Sequence, residues 1–262
     1  MSVRVNERRQ AGTEYYRHFG IIYQVIQNKM LLMQKRKKKW FAIKIMELLN
    51  TVGRTISKIE NGYILGLKKN EIEKKYATDA LNQLEELQPL LWVLWNKEEY
   101  KDKTMERWCK LLNKESELLS EIACRNNLKT FTKIDWEKVN KLKFLKNISV
   151  LDKEAYSFAM RLSNKFTNLY AERLVGNLDS CFCNLLSAND IYPHCRDEYV
   201  QRRQYISNAI CDLHCSSEAI RDLAIQKLLD EKTIEKWSEL IEEELRLLKG
   251  LNASDKKNFG KL

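Results

Sequence analysis

A repeat at one fixed offset constrains this 262-residue chain more than any other feature. Trp108, in KTMERWCKLL, and Trp237, in KTIEKWSELI, stand 129 residues apart, as do Lys103 and Lys232, Thr104 and Thr233, Glu106 and Glu235, and Leu111 and Leu240. The register runs on through Glu115 with Glu244, Leu118 with Leu247 and Leu119 with Leu248. It also holds far upstream without a gap: Tyr76 with Tyr205, Ala80 with Ala209, Leu84 with Leu213, Tyr63 with Tyr192, Leu49 with Leu178, and Phe41-Ala42 with Tyr170-Ala171. A match between two amphipathic helices arises easily by chance, but one register across three of them does not. The chain therefore reads as two tandem copies of one unit.

Only two prolines and eight glycines interrupt the chain, so long stretches remain free to be helical. The apolar residues recur with helical period. In the first copy one stripe runs Tyr15, Phe19, Ile22, Ile26, Met30, Met33, and a second Ile45, Leu49, Val52, Ile56, Ile59, Tyr63. A third runs Ile72, Tyr76, Ala80, Leu84, Leu87, Leu91, with Pro89 kinking or ending it, and a fourth Met105, Trp108, Leu111, Leu112, Leu118, Leu119, Ile122. The second copy shows the same second, third and fourth stripes around Leu174–Ala188, Tyr199–Leu223 and Ile234–Leu248. Its first helix falls either on 153–165 or on 136–148. Four antiparallel helices around one core is the simplest way to bury such stripes. The expected fold is all-α: two tandem antiparallel four-helix bundles, over 1–123 and 151–262, joined by a helical linker over 124–150.

The net charge is +10. Residues 1–130 hold 25 of the 46 Lys and Arg and 16 of the 36 Asp and Glu, leaving only +1 for the remainder. A field so lopsided suits a polyanion facing the first half. The cations cluster. Lys35-Arg36-Lys37-Lys38-Lys39 precedes Trp40, a pattern suited to a phosphate backbone and a stacked base. Arg54 and Lys58 lie on the exposed side of the second helix, Lys68-Lys69 and Lys74-Lys75 flank the third, and Arg202-Arg203 is the counterpart in the second copy. Adjacent helical residues diverge by about 100°, so one of these two arginines can pair with an acid at the bundle rim.

Other chemistry finds little support. No apolar run is long enough to span a bilayer, and the first ten residues carry no apolar leader core. Seven cysteines without such a leader read as reduced thiols. Those expectations together describe a cytoplasmic protein with no membrane partner. Cys181, Cys183, Cys195, Cys211 and Cys215 gather in the second copy with His194 and His214, but not at the tight-turn spacing of a zinc site. No glycine-rich phosphate loop occurs, and His18, His194 and His214 show no pattern of a catalytic dyad. The expectation is a non-enzyme with no cofactor and no metal.

The segments SANDIYP (Ser187–Pro193) and EYVQRRQYISNAI (Glu198–Ile210), and the ending from Trp237 to LLKGLNASDKK (Leu247–Lys257), resemble the Avd-like four-helix-bundle family. That family includes the accessory variability determinants of diversity-generating retroelements and the 23S rRNA intervening-sequence proteins. The resemblance covers roughly residues 153–257. It implies a small basic bundle without an active site, assembled into a ring-like oligomer, that binds a reverse transcriptase and nucleic acid. Arg202 and Arg203 fall in the matching motif and are the positions carried over. The chain departs from the pattern in being doubled and in having a near-neutral second copy. The expected function is a nucleic-acid-binding accessory protein working with a reverse transcriptase, with RNA or DNA, that enzyme and further copies of itself as partners. The alternative is a protein-interaction scaffold whose charge serves only solubility.

Overall fold

The computed structural model describes residues 2–35, 39–96, 102–162 and 165–262, and every regular element among them is an α-helix. The chain divides into two compact units, Met1–Ile134 and Asp135–Leu262.

The first unit contains α1 (Ser2–Lys35), α2 (Lys39–Asn61), α3 (Lys69–Glu85), α4 (Leu87–Asn96) and α5 (Asp102–Ala123). Helices α1, α2, α3 and α5 each pack against the next, and α5 returns to α1, which closes a four-helix bundle. Cross-helix partners run in opposite directions along each pair. Tyr15 and Tyr23 of α1 meet Glu60 and Asn50 of α2, and Thr55 and Lys58 of α2 meet Gln83 and Tyr76 of α3. The stripes read from the sequence form the core: Ile22, Ile26, Ile45, Leu49, Ile56, Ala80, Leu84, Trp108, Leu112 and Leu119 are all buried. Burial of this kind, at about 1.5–3 kcal/mol for each large aliphatic side chain, is the main force holding such bundles.

The second unit contains α6 (Trp136–Lys141), α7 (Lys143–Arg161), α8 (Lys165–Asp190), α9 (Arg196–Ile225) and α10 (Glu231–Phe259). Here α7, α8, α9 and α10 close the same ring of neighbours. Asn184 and Arg173 of α8 bind Asp212 and Asp222 of α9. Lys143 and Glu154 of α7 bind Glu243 and Lys236 of α10.

The offset of 129 maps α1 onto α7, α2 onto α8, α3 with α4 onto α9, and α5 onto α10. Buried pairs follow it: Ile22 and Leu151, Leu49 and Leu178, Ala80 and Ala209, Leu84 and Leu213, Trp108 and Trp237, Leu119 and Leu248. Polar positions on the helices also correspond, with Glu115 and Glu244 both buried. His18 and Glu115 correspond to Asn147 and Glu244, and the hydrogen-bonded Tyr23 and Asn50 to the buried Asp152 and Asp179. The copies differ at Pro89, whose counterpart is Glu218. Helix α3 stops at Glu85, the chain turns at Glu86, and α4 restarts with Pro89 in its first turn, where a missing N–H is tolerated. With no proline there, α9 runs unbroken for 30 residues.

Three expectations need correction. No separate linker spans 124–150. Residues 124–134 belong to the first unit, where Phe131 and Ile134 are buried and Asn113 exchanges two hydrogen bonds with the Phe131 backbone. Residues 135–150 belong to the second, where Leu145 and Ile148 enter the core. The first helix of the second copy is Lys143–Arg161, which lies across both expected placements. Finally, Tyr63 is not a core residue; it lies beyond the end of α2 and is 78% exposed.

Candidate nucleic-acid interface

The connection from α2 to α3 is short, apolar and basic: Gly62-Tyr63-Ile64-Leu65-Gly66-Leu67-Lys68. Its geometry follows from its two glycines. At Gly62 the chain leaves α2 with the Tyr76 ring against its backbone; a Cβ there would overlap Tyr76 Cε2 and the Lys58 carbonyl oxygen. The Leu67 N–H then donates to the Ile64 carbonyl at 3.2 Å, and Gly66 takes φ +85°. A positive φ at the third position of a four-residue turn defines type II and favours glycine. The corner residue of that turn, Leu65, is thrown outward and is 85% exposed, beside the exposed Tyr63 and Leu67.

Cations surround this turn. Arg54 and Lys58, one helical turn apart on α2, are both accessible, and the Lys58 ammonium lies 5.7 Å from the Tyr76 ring centroid. Lys68 and Lys69 are exposed at the start of α3. Glu71 anchors that start by accepting the Lys68 backbone N–H at 2.7 Å. Lys69 lies 3.8 Å from Glu73 in an exposed i,i+4 pair, which leaves it largely available. Lys74 and Lys75 are exposed one turn further on but diverge by about 100°. The structure therefore brings Arg54, Lys58, Lys68 and Lys69 to one end of the bundle.

The other basic block is at the opposite end of α2. Lys35 closes α1, while Lys39 and Trp40 open α2; Arg36, Lys37 and Lys38, like the side chains of those three, lie outside the described residues. Lys39 and Asn61 are separated by about 33 Å at 1.5 Å per residue. The two basic clusters are thus separate ends of one helix, not one patch.

Arg202 and Arg203 part company, as adjacent helical residues must. Arg202 is nearly buried. Its Nε donates to Asp255 at 2.6 Å, its Nη1 to the carbonyls of Ala188 and Ile191, and its Nη2 again to Asp255. This guanidinium ties the end of α8 to α10, which corrects its expected placement at a ligand surface. Arg203 is exposed and lies over the Tyr199 ring, 5.8 Å from the centroid.

Elsewhere the polar groups serve the bundles. In the first core His18 Nδ1 lies 2.8 Å from Glu115 Oε2. Burial pushes the Glu115 carboxyl up to about 9 and lowers the His18 imidazole, so desolvation disfavours the charged form of each. Burial likewise pushes Glu244 up to about 8. A cleft of about 470 Å³ in the second unit lies over Phe158 and Trp237. Its Glu154 is held by Lys236 and by the Trp237 indole N–H, and its Asp230 caps α10 through Thr233. Cys181 is buried, whereas Cys195, Cys211 and Cys215 are exposed. Among the described residues no group of three or more His, Cys, Asp or Glu is placed to hold a metal ion, and no helix is long and apolar enough to cross a membrane.

Partition at the structural boundary sharpens the charge asymmetry. Met1–Ile134 holds 26 of the 46 Lys and Arg and 16 of the 36 Asp and Glu, which accounts for the whole +10, while Asp135–Leu262 has 20 of each. Sequence reasoning missed Tyr63, Leu65 and Tyr76 as parts of this surface. The signal that exposes them is the glycine pair flanking Tyr63-Ile64-Leu65, which marks a turn. Compared with protein-family models, curated proteins and solved structures, the chain matches none.

Proposed function

We propose that this protein is a non-enzymatic accessory factor that binds RNA or DNA through its first unit and works beside a reverse transcriptase. The observation that carries the proposal is that the entire net charge falls on one of two units otherwise built alike. Solubility would need no such segregation. The resemblance of residues 153–257 to Avd-like bundles supports the choice of enzyme partner, and supports association between copies. The test is a filter-binding titration of the full chain against RNA at several salt concentrations. A protein that neutralises several phosphates loses affinity steeply as salt rises; absence of binding at low salt overturns the proposal. A reverse-transcriptase reading frame adjacent to this one is the expected genomic setting.

A second reading, a protein-interaction scaffold, is favoured by a different observation. Ile21 and Leu31 of α1 are exposed, and so are their counterparts at the same offset, Val150 and Met160 of α7. Replacing these four with Ser abolishes partner capture or self-association if the scaffold reading holds. Charge reversal at Lys35, Lys37 and Lys39 leaves a scaffold intact but disables a nucleic-acid binder.

A further inference from the structure

The α2–α3 turn has a comparison within the chain, the connection between α8 and α9, which is shorter (191–195 against 62–68) and has Cys195 in an extended conformation where the first unit has Gly66 at φ +85°. At the offset of 129 Lys68 and Lys69 align with Asp197 and Glu198, but α9 begins earlier in that register, so the N-cap and first helical residue are Lys68 and Lys69 in the first unit and Cys195 and Arg196 in the second. Both helices carry acids in the first turn, Glu71 in α3 and Asp197 and Glu198 in α9, where the dipole is positive; the first unit adds a second cation, Lys68, at the N-cap. The aromatic residue is common to both connections. Both rings are exposed, Tyr63 at 78% and Tyr192 at 69%, but Tyr192 has ring neighbours, Phe259 edge-on at 5.3 Å and His194 at 5.4 Å, whereas Tyr63 lies beside the 85% exposed Leu65.

We infer that the α2–α3 turn of the first unit receives single-stranded nucleic acid, with bases against Tyr63 and Leu65 and phosphates at Lys58, Lys68 and Lys69. This rests on the proposed nucleic-acid reading and adds the class of ligand. Phosphate binding alone needs only charge and serves a duplex as well as a single strand. An aromatic ring and a leucine at the tip of a turn have no role against a duplex backbone. They suit an unstacked base, whose face is free to pack on an apolar platform. Lys58 is steadied over Tyr76 beside the turn, so the charges and the platform lie together.

The test uses the full chain with a fluorescent 12-nucleotide single strand and a 12-base-pair duplex of the same sequence, at low salt. Tyr63→Ala is expected to weaken single-strand binding about 5- to 100-fold and leave the salt slope unchanged, since no charge is removed. Tyr63→Phe retains the affinity, and Tyr192→Ala matches the wild type. Because Tyr63 is exposed, unchanged circular dichroism is expected in all three. Equal affinity for strand and duplex, or a Tyr63→Ala protein that binds like the wild type, overturns this inference while the proposed function stands. Failure to bind either probe overturns both. Loss of binding to vesicles of anionic phospholipid in Tyr63→Ala, with no single-strand binding in any variant, assigns the turn to a lipid surface and also overturns both.

Discussion

His18 Nδ1 of α1 and Glu115 Oε2 of α5 lie 2.8 Å apart in the first bundle, within hydrogen-bond distance. At the corresponding positions of the second bundle Glu244 is again buried, but Asn147 donates to Glu243, the neighbour of Glu244, at 3.2 Å. Burial holds the proton on Glu115 up to about 9 against an ordinary 4.5. The stabilisation from the neutral acid is therefore complete below about pH 4.5 and is lost as pH rises towards 9. His18 acts in the opposite sense: its lowered value gives stability above its ordinary 6.5 that is lost as pH falls. Glu115→Gln is expected to remove the alkaline loss. Urea denaturation should show the wild type losing on the order of a few kcal/mol between pH 5.5 and 8.5 relative to the variant. Parallel curves for the two proteins would contradict the assignment.

Arg202→Ala should destabilise the second unit by about 3 kcal/mol, because it leaves Asp255 buried without its partner and frees the Ala188 and Ile191 carbonyls. Arg202→Lys should recover only part of this, since one ammonium cannot reproduce the fork. Arg203→Ala, at the surface, should stay within about 0.5 kcal/mol of the wild type. Thermal melts of the three variants check the order.

At the α2–α3 turn, Gly62→Ala forces a Cβ into Tyr76 and should cost about 1–3 kcal/mol. Gly66→Ala meets open space but must adopt φ +85°, at a cost of about 1–2 kcal/mol. Both should also weaken single-strand binding, by displacing Tyr63 and Leu65.

Two helix ends use non-glycine residues in the left-handed conformation, Cys124 at φ 53° after α5 and Lys227 at φ 55° after α9. Lys227 N–H bonds the Ala224 carbonyl, and Leu228 N–H the Leu223 carbonyl, an arrangement that glycine favours. Lys227→Gly is expected to raise stability by about 0.5–1 kcal/mol, read as a higher melting temperature with unchanged helicity.

The helices and the repeat were legible because core burial imposes a 3.6-residue period on apolar residues, and Ile45, Leu49, Val52, Ile56 and Ile59 follow it without a break. Tyr63 keeps the same phase, which is why it reads as core; Gly62 ends the helix one residue earlier, and phase means nothing outside a helix. Arg202 and Arg203 are indistinguishable as a pair of letters. Only the packing of α9 against α10 decides which of them faces Asp255. The 124–150 stretch lacks a long stripe because it holds an extended segment anchored by Asn113 and the short α6. The surface at Lys58 and Tyr76 depends on two helices meeting, information that no local pattern contains.

The central claim, that the first unit alone faces nucleic acid, is tested most directly by the salt dependence of binding in matched charge variants. Neutralising Arg54, Lys58, Lys68 and Lys69 to Gln should lower affinity for a single strand and flatten the slope of log K against log salt by about 0.7 for each phosphate no longer neutralised. Neutralising four exposed cations of the second unit, Lys249, Lys256, Lys257 and Lys261, should leave the slope as it was. Equal flattening by both sets, or a slope unmoved by the first, would contradict it.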